Sequence, residues 1–217
     1  MKLIYDIECN GLNPDTIWCI VAYNIDTKVT YKFSDHDNLH GSIADGVRLL
    51  ENADLLIGHN IIGFDNRVID DLYGTDLNSK RNHDTFVMSQ VLSYKRTHRH
   101  GLAGWGEFLG NSKISFDDWD KYSREMLRYC VQDVMVNLAV YEKLLEEYKV
   151  VYARNPKIKR GLQVEHDVAV FNAIVRKAGW KFDSEKAAAT LKLMHDRMET
   201  IEKELEPKLG MKTVYID

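Results

Sequence analysis

Asp6 and Glu8 stand two residues apart in the run Lys2-Leu3-Ile4-Tyr5-Asp6-Ile7-Glu8. The run alternates like a β-strand, so both carboxylates leave one face, roughly 7 Å apart along the chain. Like charges that close on a half-buried face repel, and a cation between them is the natural relief. Oxygen-only donors favour Mg²⁺ or Mn²⁺ over zinc. Taken alone, the pair reads more simply as a solvent-facing strand end.

Two further segments carry acids. Gly58-His59-Asn60-Ile61-Ile62-Gly63-Phe64-Asp65 follows a short apolar stretch and leads into a helical pattern, with Asp65 in its first turn. By itself Asp65 could serve only the helix dipole. Tyr129 and Asp133, four apart in Tyr129-Cys130-Val131-Gln132-Asp133, lie one turn apart on one helix face. A chance hydrogen bond explains that pair alone, but an Asp followed by Val134, Val136 and Leu138 is costly to bury without a partner.

The elements that position these residues are legible in the hydrophobic pattern. Strands are predicted over 2–8, Ile17 to Tyr23 and Val29 to Phe33, and a fully apolar one over Asp54 to Gly58. Helices are predicted at Ile43-Val47-Leu50, at Phe64-Val68-Leu72 before Gly74, after an Asp84 cap, and at Leu102-Trp105-Leu109 before Gly110. A long helix follows between about Lys121 and Glu147, with Asp117, Asp118 and Asp120 read as its capping acids. Composition changes at Asn155-Pro156. Beyond it, Val164, Val168, Phe171 and Val175 mark one helix closed by Gly179, and Asp183 caps another with the stripe Ala187, Leu191, Met194, Met198, Ile201 and Leu205. That stripe must lie against something. The order implies an α/β mixed sheet flanked by helices, with a C-terminal helical extension.

Composition excludes several classes. The 217 residues are 45% hydrophobic and 29% charged, with 13 Gly and 3 Pro, which rules out low-complexity and collagen-like chains. No apolar run spans a bilayer, so no membrane association is expected, and the first residues do not read as a signal peptide. Cys9, Cys19 and Cys130 lack zinc-ligand spacing and read as reduced thiols of an intracellular protein. A net charge of −4 does not advertise nucleic-acid binding, yet two basic runs exist, Lys95 to His100 and Lys149 to Arg160.

In their order and spacing, Asp6, Glu8, Asp65, Tyr129 and Asp133 resemble the DEDDy branch of 3′–5′ exonucleases. Tyr129 through Leu145, His83-Asp84-Thr85 and Leu102-Ala103-Gly104-Trp105-Gly106 resemble the proofreading domain of phage-type family A DNA polymerases. The stretch from Val164-Glu165-His166 to Asp183 is similar to the passage from exonuclease into polymerase in that family, while nothing corresponds to palm or fingers.

The resemblance implies a ribonuclease H-like fold, an exonuclease domain over 1–155 and an incomplete start of the polymerase domain over 156–217. It implies hydrolysis with two divalent ions, Mg²⁺ or Mn²⁺: Asp6, Glu8 and Asp133 would hold the first, Asp6 and Asp65 the second, and Tyr129 would orient the water. Leu12 falls where related exonucleases set an apolar residue against the terminal base, or else is a buried turn residue. Asn60 would contact substrate backbone or ribose, and His59 lines the crevice or is a satisfied core histidine. The implied partners are a single-stranded DNA 3′ end and a polymerase domain or subunit outside this chain. The implied setting is the cytoplasm, that of the host if the gene is a bacteriophage's. An RNA-trimming exonuclease of the same superfamily and a catalytically silent assembly module are the alternatives.

Overall fold

The computed structural model describes residues 1–111 and 116–210. Five strands form one mixed sheet in the order β3-β2-β1-β4-β5. The strands are β1 (Lys2–Cys9), β2 (Ile17–Asn24), β3 (Val29–Phe33), β4 (Leu55–Gly58) and β5 (Asn82–Asp84). β1, β2 and β3 pair antiparallel as a meander, whereas β4 and β5 add in parallel on the other side of β1. The five helices α1 (Ile43–Glu51), α2 (Asp65–Tyr73), α3 (Thr85–Leu92), α4 (Leu102–Phe108) and α5 (Arg124–Arg154) follow in chain order.

Alternation along β1 divides the core. Leu3, Tyr5 and Ile7 point to one side, packing with Ile43, Val47 and Leu50 of α1 and Val68 and Ile69 of α2. Ile4 points to the other, packing with Met88 of α3, Trp105 of α4 and Leu127, Cys130, Val134 and Val140 of α5. Asp6 and Glu8 share the Ile4 face and so lie beneath α5. The sheet is therefore a filled layer between two helical layers, the ribonuclease H-like arrangement expected.

Local chemistry sets the element ends. Ser42 and Asp45 form a reciprocal capping box on α1, and Asp84 caps α3 by accepting from Phe86 and Val87 N–H. α5 is capped by Ser123, whose side chain accepts from Met126 N–H. The acids Asp117, Asp118 and Asp120 precede that cap and do not provide it, because only the Ncap side chain reaches the free N–H groups of the first turn. Neither the short 3₁₀ turn Leu77–Ser79 nor β5 was signalled by hydrophobic pattern.

The chain forms two compact units, Met1–Lys177 and Ala178–Asp217. The break between α5 and α6 (Ile158–Ala178) holds Asn155-Pro156, and the first unit continues through nearly all of α6. Val170 and Ala173 of α6 are packed against, or part of, the core of that unit. In the second unit, α7 (Ser184–Leu209) is capped by Asp183 and buries no residue. Its stripe Leu191, Met194, Met198, Ile201 and Leu205 is exposed. Among the described residues, no helix is long and apolar enough to cross a membrane.

Candidate active site

The site forms where β4 ends and β1 continues paired with β2 alone. β1 pairs with β4 only from Lys2 to Ile4, so the later N–H groups on that edge need other acceptors. Asp65 supplies one: its Oδ1 accepts from Ile7 N–H at 3.3 Å. The turn that delivers it is tight. A Cβ on Gly58 would stand 1.9 Å from Ile61 Cγ2 and 3.1 Å from Tyr5 O, so only glycine fits there. Asn60 next adopts the left-handed region, with φ of 63°, which Asn tolerates better than most residues. Tyr5 then donates a buried hydrogen bond to Asn66 Oδ1, fixing the first turn of α2 beside β1.

Asp84 ties this turn to α3. Its carboxylate accepts from Asn60 N–H at 2.9 Å and Ile62 N–H at 3.1 Å while also capping α3. Sequence reasoning identified the cap but not the second duty, which depends on β5 pairing beside β4. His59 donates its Nδ1 proton to, or accepts from, Thr85 Oγ1 at 2.9 Å and meets Phe86 edge-on. It is half-buried, as a satisfied histidine is.

On the α5 side, Glu8 is 7% exposed and Asp133 4%, while Asp6 is half-buried. The partner strand β2 carries an irregularity opposite Glu8 and Cys9, where pairing jumps from Cys19 to Ile17. A bulge of that kind increases local twist and re-aims side chains. Burial pushes the Glu8 carboxyl up to about 11, with Asp6, Cys19, Asp133 and Asp65 adding to the rise. Burial likewise lifts Asp65 to about 7, against the lowering effect of its own and Ile7's N–H groups. The four acids from three segments thus share one electrostatic neighbourhood. Glu8 Oε1 is buried with no hydrogen-bond partner among the described residues. Leaving such an atom unsatisfied costs about 1–3 kcal/mol or more, which a bound cation would remove.

Tyr129 lies one turn before Asp133, half-buried, between Phe116 and Trp119 at ring-centroid distances of 5.7 and 5.6 Å. Trp119 is itself held by its carbonyl, which accepts from Trp18 Nε1 at 3.0 Å. Leu12 is 82% exposed in the β1–β2 loop, so the buried-turn alternative is excluded. Its carbonyl accepts from Arg67 Nη2 at 3.1 Å, a restraint sequence reasoning missed because Arg67 reads as an ordinary helix-surface residue. Cys130 was also missed as a neighbour of the acids, although its position three before Asp133 puts both on one face of α5.

The Lys95–His100 run is largely structural. Arg96 forms a two-nitrogen ion pair with Glu147 and covers the Trp105 ring at 4.6 Å. His98 stacks on Phe108, and His100 Nδ1 pairs with Ser89 Oγ at 2.8 Å. Lys95 and Arg99 remain exposed, as do Lys149, Arg154, Lys157, Lys159 and Arg160.

Residues 2–149 match a family described as 3′–5′ exonuclease. The chain is 25% identical over 279 aligned positions to the DNA-directed DNA polymerase of Escherichia phage T7. It is 24% identical over 274 positions to that of Enterobacteria phage T3. Both alignments take in 96% of the chain but only 38% of the relative's length. Among solved structures, Brucella melitensis NrnC with bound Mg²⁺ has a TM-score of 0.60 at 18% identity, over 83% of this chain and 89% of that one. The family B DNA polymerase of Pyrobaculum calidifontis gives 0.52 at 17%, over 66% and 24%. At those identities, what is shared is the fold.

Proposed function

Because the chain belongs to the 3′–5′ exonuclease family that family A DNA polymerases carry, we propose that it removes nucleotides from single-stranded DNA 3′ ends by metal-dependent hydrolysis, in the service of proofreading. The observation that supports this reading is the buried Glu8 carboxyl, whose Oε1 lacks a hydrogen-bond partner among the described residues and which feels the charges of Asp6, Asp133 and Asp65.

The carboxylates fit hard divalent cations, being oxygen donors in excess of any positive charge nearby. Asp6, Glu8 and Asp133 would hold one Mg²⁺ or Mn²⁺ and Asp6 with Asp65 a second. Such ions neutralise the scissile phosphate, activate water and stabilise the leaving 3′ oxygen. The protein's own groups orient the reactants. Tyr129, braced by Phe116 and Trp119, directs the attacking water by hydrogen bond. Leu12, exposed and tethered by Arg67, meets the terminal base; Asn60 and His59 line the wall along which backbone and ribose pass. A frayed or mismatched end reaches the crevice most easily, because it is already unstacked.

The DNA preference is supported by the relatives being DNA-directed DNA polymerases. Residues 1–155 would then be the exonuclease domain, and 156–217 the beginning of a polymerase region completed elsewhere. No polymerase activity is expected from these residues alone. The deciding assay is digestion of a 5′-labelled single-stranded oligonucleotide with Mg²⁺ or Mn²⁺, beside an EDTA control and a matched RNA. A metal-dependent ladder shortening from the 3′ end, faster on DNA, supports the proposal. Faster digestion of RNA would move it to the RNA-trimming alternative, and no digestion of either to a silent module.

Tyr129→Phe removes a positioning hydrogen bond and no metal ligand. It should lower the rate about tenfold, the equivalent of roughly 1.4 kcal/mol. A loss matching removal of a metal ligand would require a larger role for the phenol.

Stability should also follow pH. In the metal-free protein the carboxyls of Asp65 and Glu8 are raised to about 7 and about 11, whereas unfolded carboxyls titrate near 4. Folding therefore takes up protons. The stability these groups contribute is complete below about pH 4 and is lost as pH rises through about 7 and beyond. Melting in EDTA should fall from about pH 5 to about pH 8. Mn²⁺ at a hundredfold excess over its Kd should restore about 2.7 kcal/mol at the upper end. A flat metal-free profile would count against a buried acid cluster.

A further inference from the structure

The acid cluster contains a thiol for which the proposed hydrolysis has no use. Cys130 is fully buried on α5, with Sγ 3.5 Å from the Asp6 carbonyl oxygen and 3.8 Å from Asp6 Oδ2. This sulfur and one carboxylate oxygen from each of Asp6 and Glu8 all lie within 4.8 Å of one another. Glu8 is 7% exposed, and its carboxylate carries an oxygen, Oε1, that lacks a hydrogen-bond partner among the described residues. Two oxygens and a sulfur on that scale suit one cation.

Ligand softness decides which cation. Magnesium and manganese take oxygen and gain little from sulfur, whereas zinc and cadmium bind thiolate strongly and accept four-coordinate sites. We infer that Asp6, Glu8 and Cys130 form a site for a thiophilic divalent cation of the zinc and cadmium class, overlapping the place assigned to the hydrolytic ions. On binding, the Cys130 thiol loses its proton to solvent and a sulfur–metal bond forms, with no oxidation or reduction. The occupied site shares Asp6 and Glu8 with the hydrolytic ions, so the two kinds of metal exclude each other. This inference rests on the carboxylate assignment proposed above.

The test uses the whole chain, free of metal and nucleic acid, titrated with Cd²⁺ while the ultraviolet thiolate-to-cadmium absorption is recorded. A single saturating transition is expected in the wild type, and excess Mn²⁺ should shift it to higher Cd²⁺ concentration. Cys9→Ser should retain it. Cys130→Ser should lose the band and bind Cd²⁺ on the order of 10–100-fold more weakly, as loss of even a supporting contact does at metal sites. Cys130→Ala serves as a second variant, with melting curves confirming that either folds. No band in the wild type, a band that survives in the Cys130 variants, or indifference to Mn²⁺ would each overturn the inference. Failure of Mn²⁺ to raise the melting temperature of the wild type would instead overturn the underlying carboxylate assignment.

Discussion

Asp6→Ala should lower 3′-end hydrolysis by about a thousandfold or more. The residue is assigned to both ions, and removing a group that anchors them withdraws several kcal/mol of transition-state stabilisation, at about 1.4 kcal/mol per factor of ten. The fold should survive, because Asp6 is only half-buried and its loss relieves repulsion on Glu8. The expected pair of results is a protein that melts no lower than wild type in EDTA and gains little from Mn²⁺. Single-turnover rates at saturating metal give the first quantity, and melting with and without Mn²⁺ the second. Half the wild-type rate in Asp6→Ala would defeat the two-ion assignment.

Trp105→Ala should produce the largest loss of stability, about 3–5 kcal/mol by the usual cost of emptying a buried aromatic site. Trp105 is fully buried, donates Nε1–H to Ser89 Oγ at 3.1 Å, and lies under the Arg96 guanidinium and against His98. The same substitution leaves Ser89 with one partner fewer and Arg96 without its aromatic floor. Since domains of this size are stable by about 5–15 kcal/mol, the loss takes a large share. Denaturant midpoints at unchanged slope would measure it. A loss under about 1 kcal/mol would mean the α3–α4–α5 layer repacks, contrary to the close fit described.

Most of the frame was readable because its residues obey one period at a time. β1 sets Leu3, Tyr5 and Ile7 on one face and Asp6 and Glu8 on the other, the long helix is apolar on one stripe, and Asp84 and Asp183 stand where capping side chains belong. The four acids could be grouped only through their order and spacing, since each has a bland local explanation. What escaped were features created by contact. β5 is Asn-His-Asp, with little intrinsic strand preference, and exists because β4 offers it a partner. The acids before α5 outnumber Ser123, yet geometry gives the cap to the serine. Arg96, His98 and His100 look like a basic patch in sequence and are consumed by Glu147, Phe108 and Ser89 once folded. Cys130 reads as one more small core residue until β1 is laid beneath it.

β5 is also an edge strand, and α6 meets its outer side at one hydrogen bond. His166 Nε2 accepts the Asp84 N–H at 2.9 Å, while the His166 Nδ1–H is donated to Leu162 O at 2.8 Å, which fixes the tautomer. Lys177 adds an ion pair to Asp71 further along. An uncovered edge is a template for pairing with another chain. α6 would therefore hinder pairing of that edge with another chain. Expression of this unit should end beyond α6, since a chain cut at the end of α5 would keep all four acids yet present a bare sheet edge and be prone to aggregate.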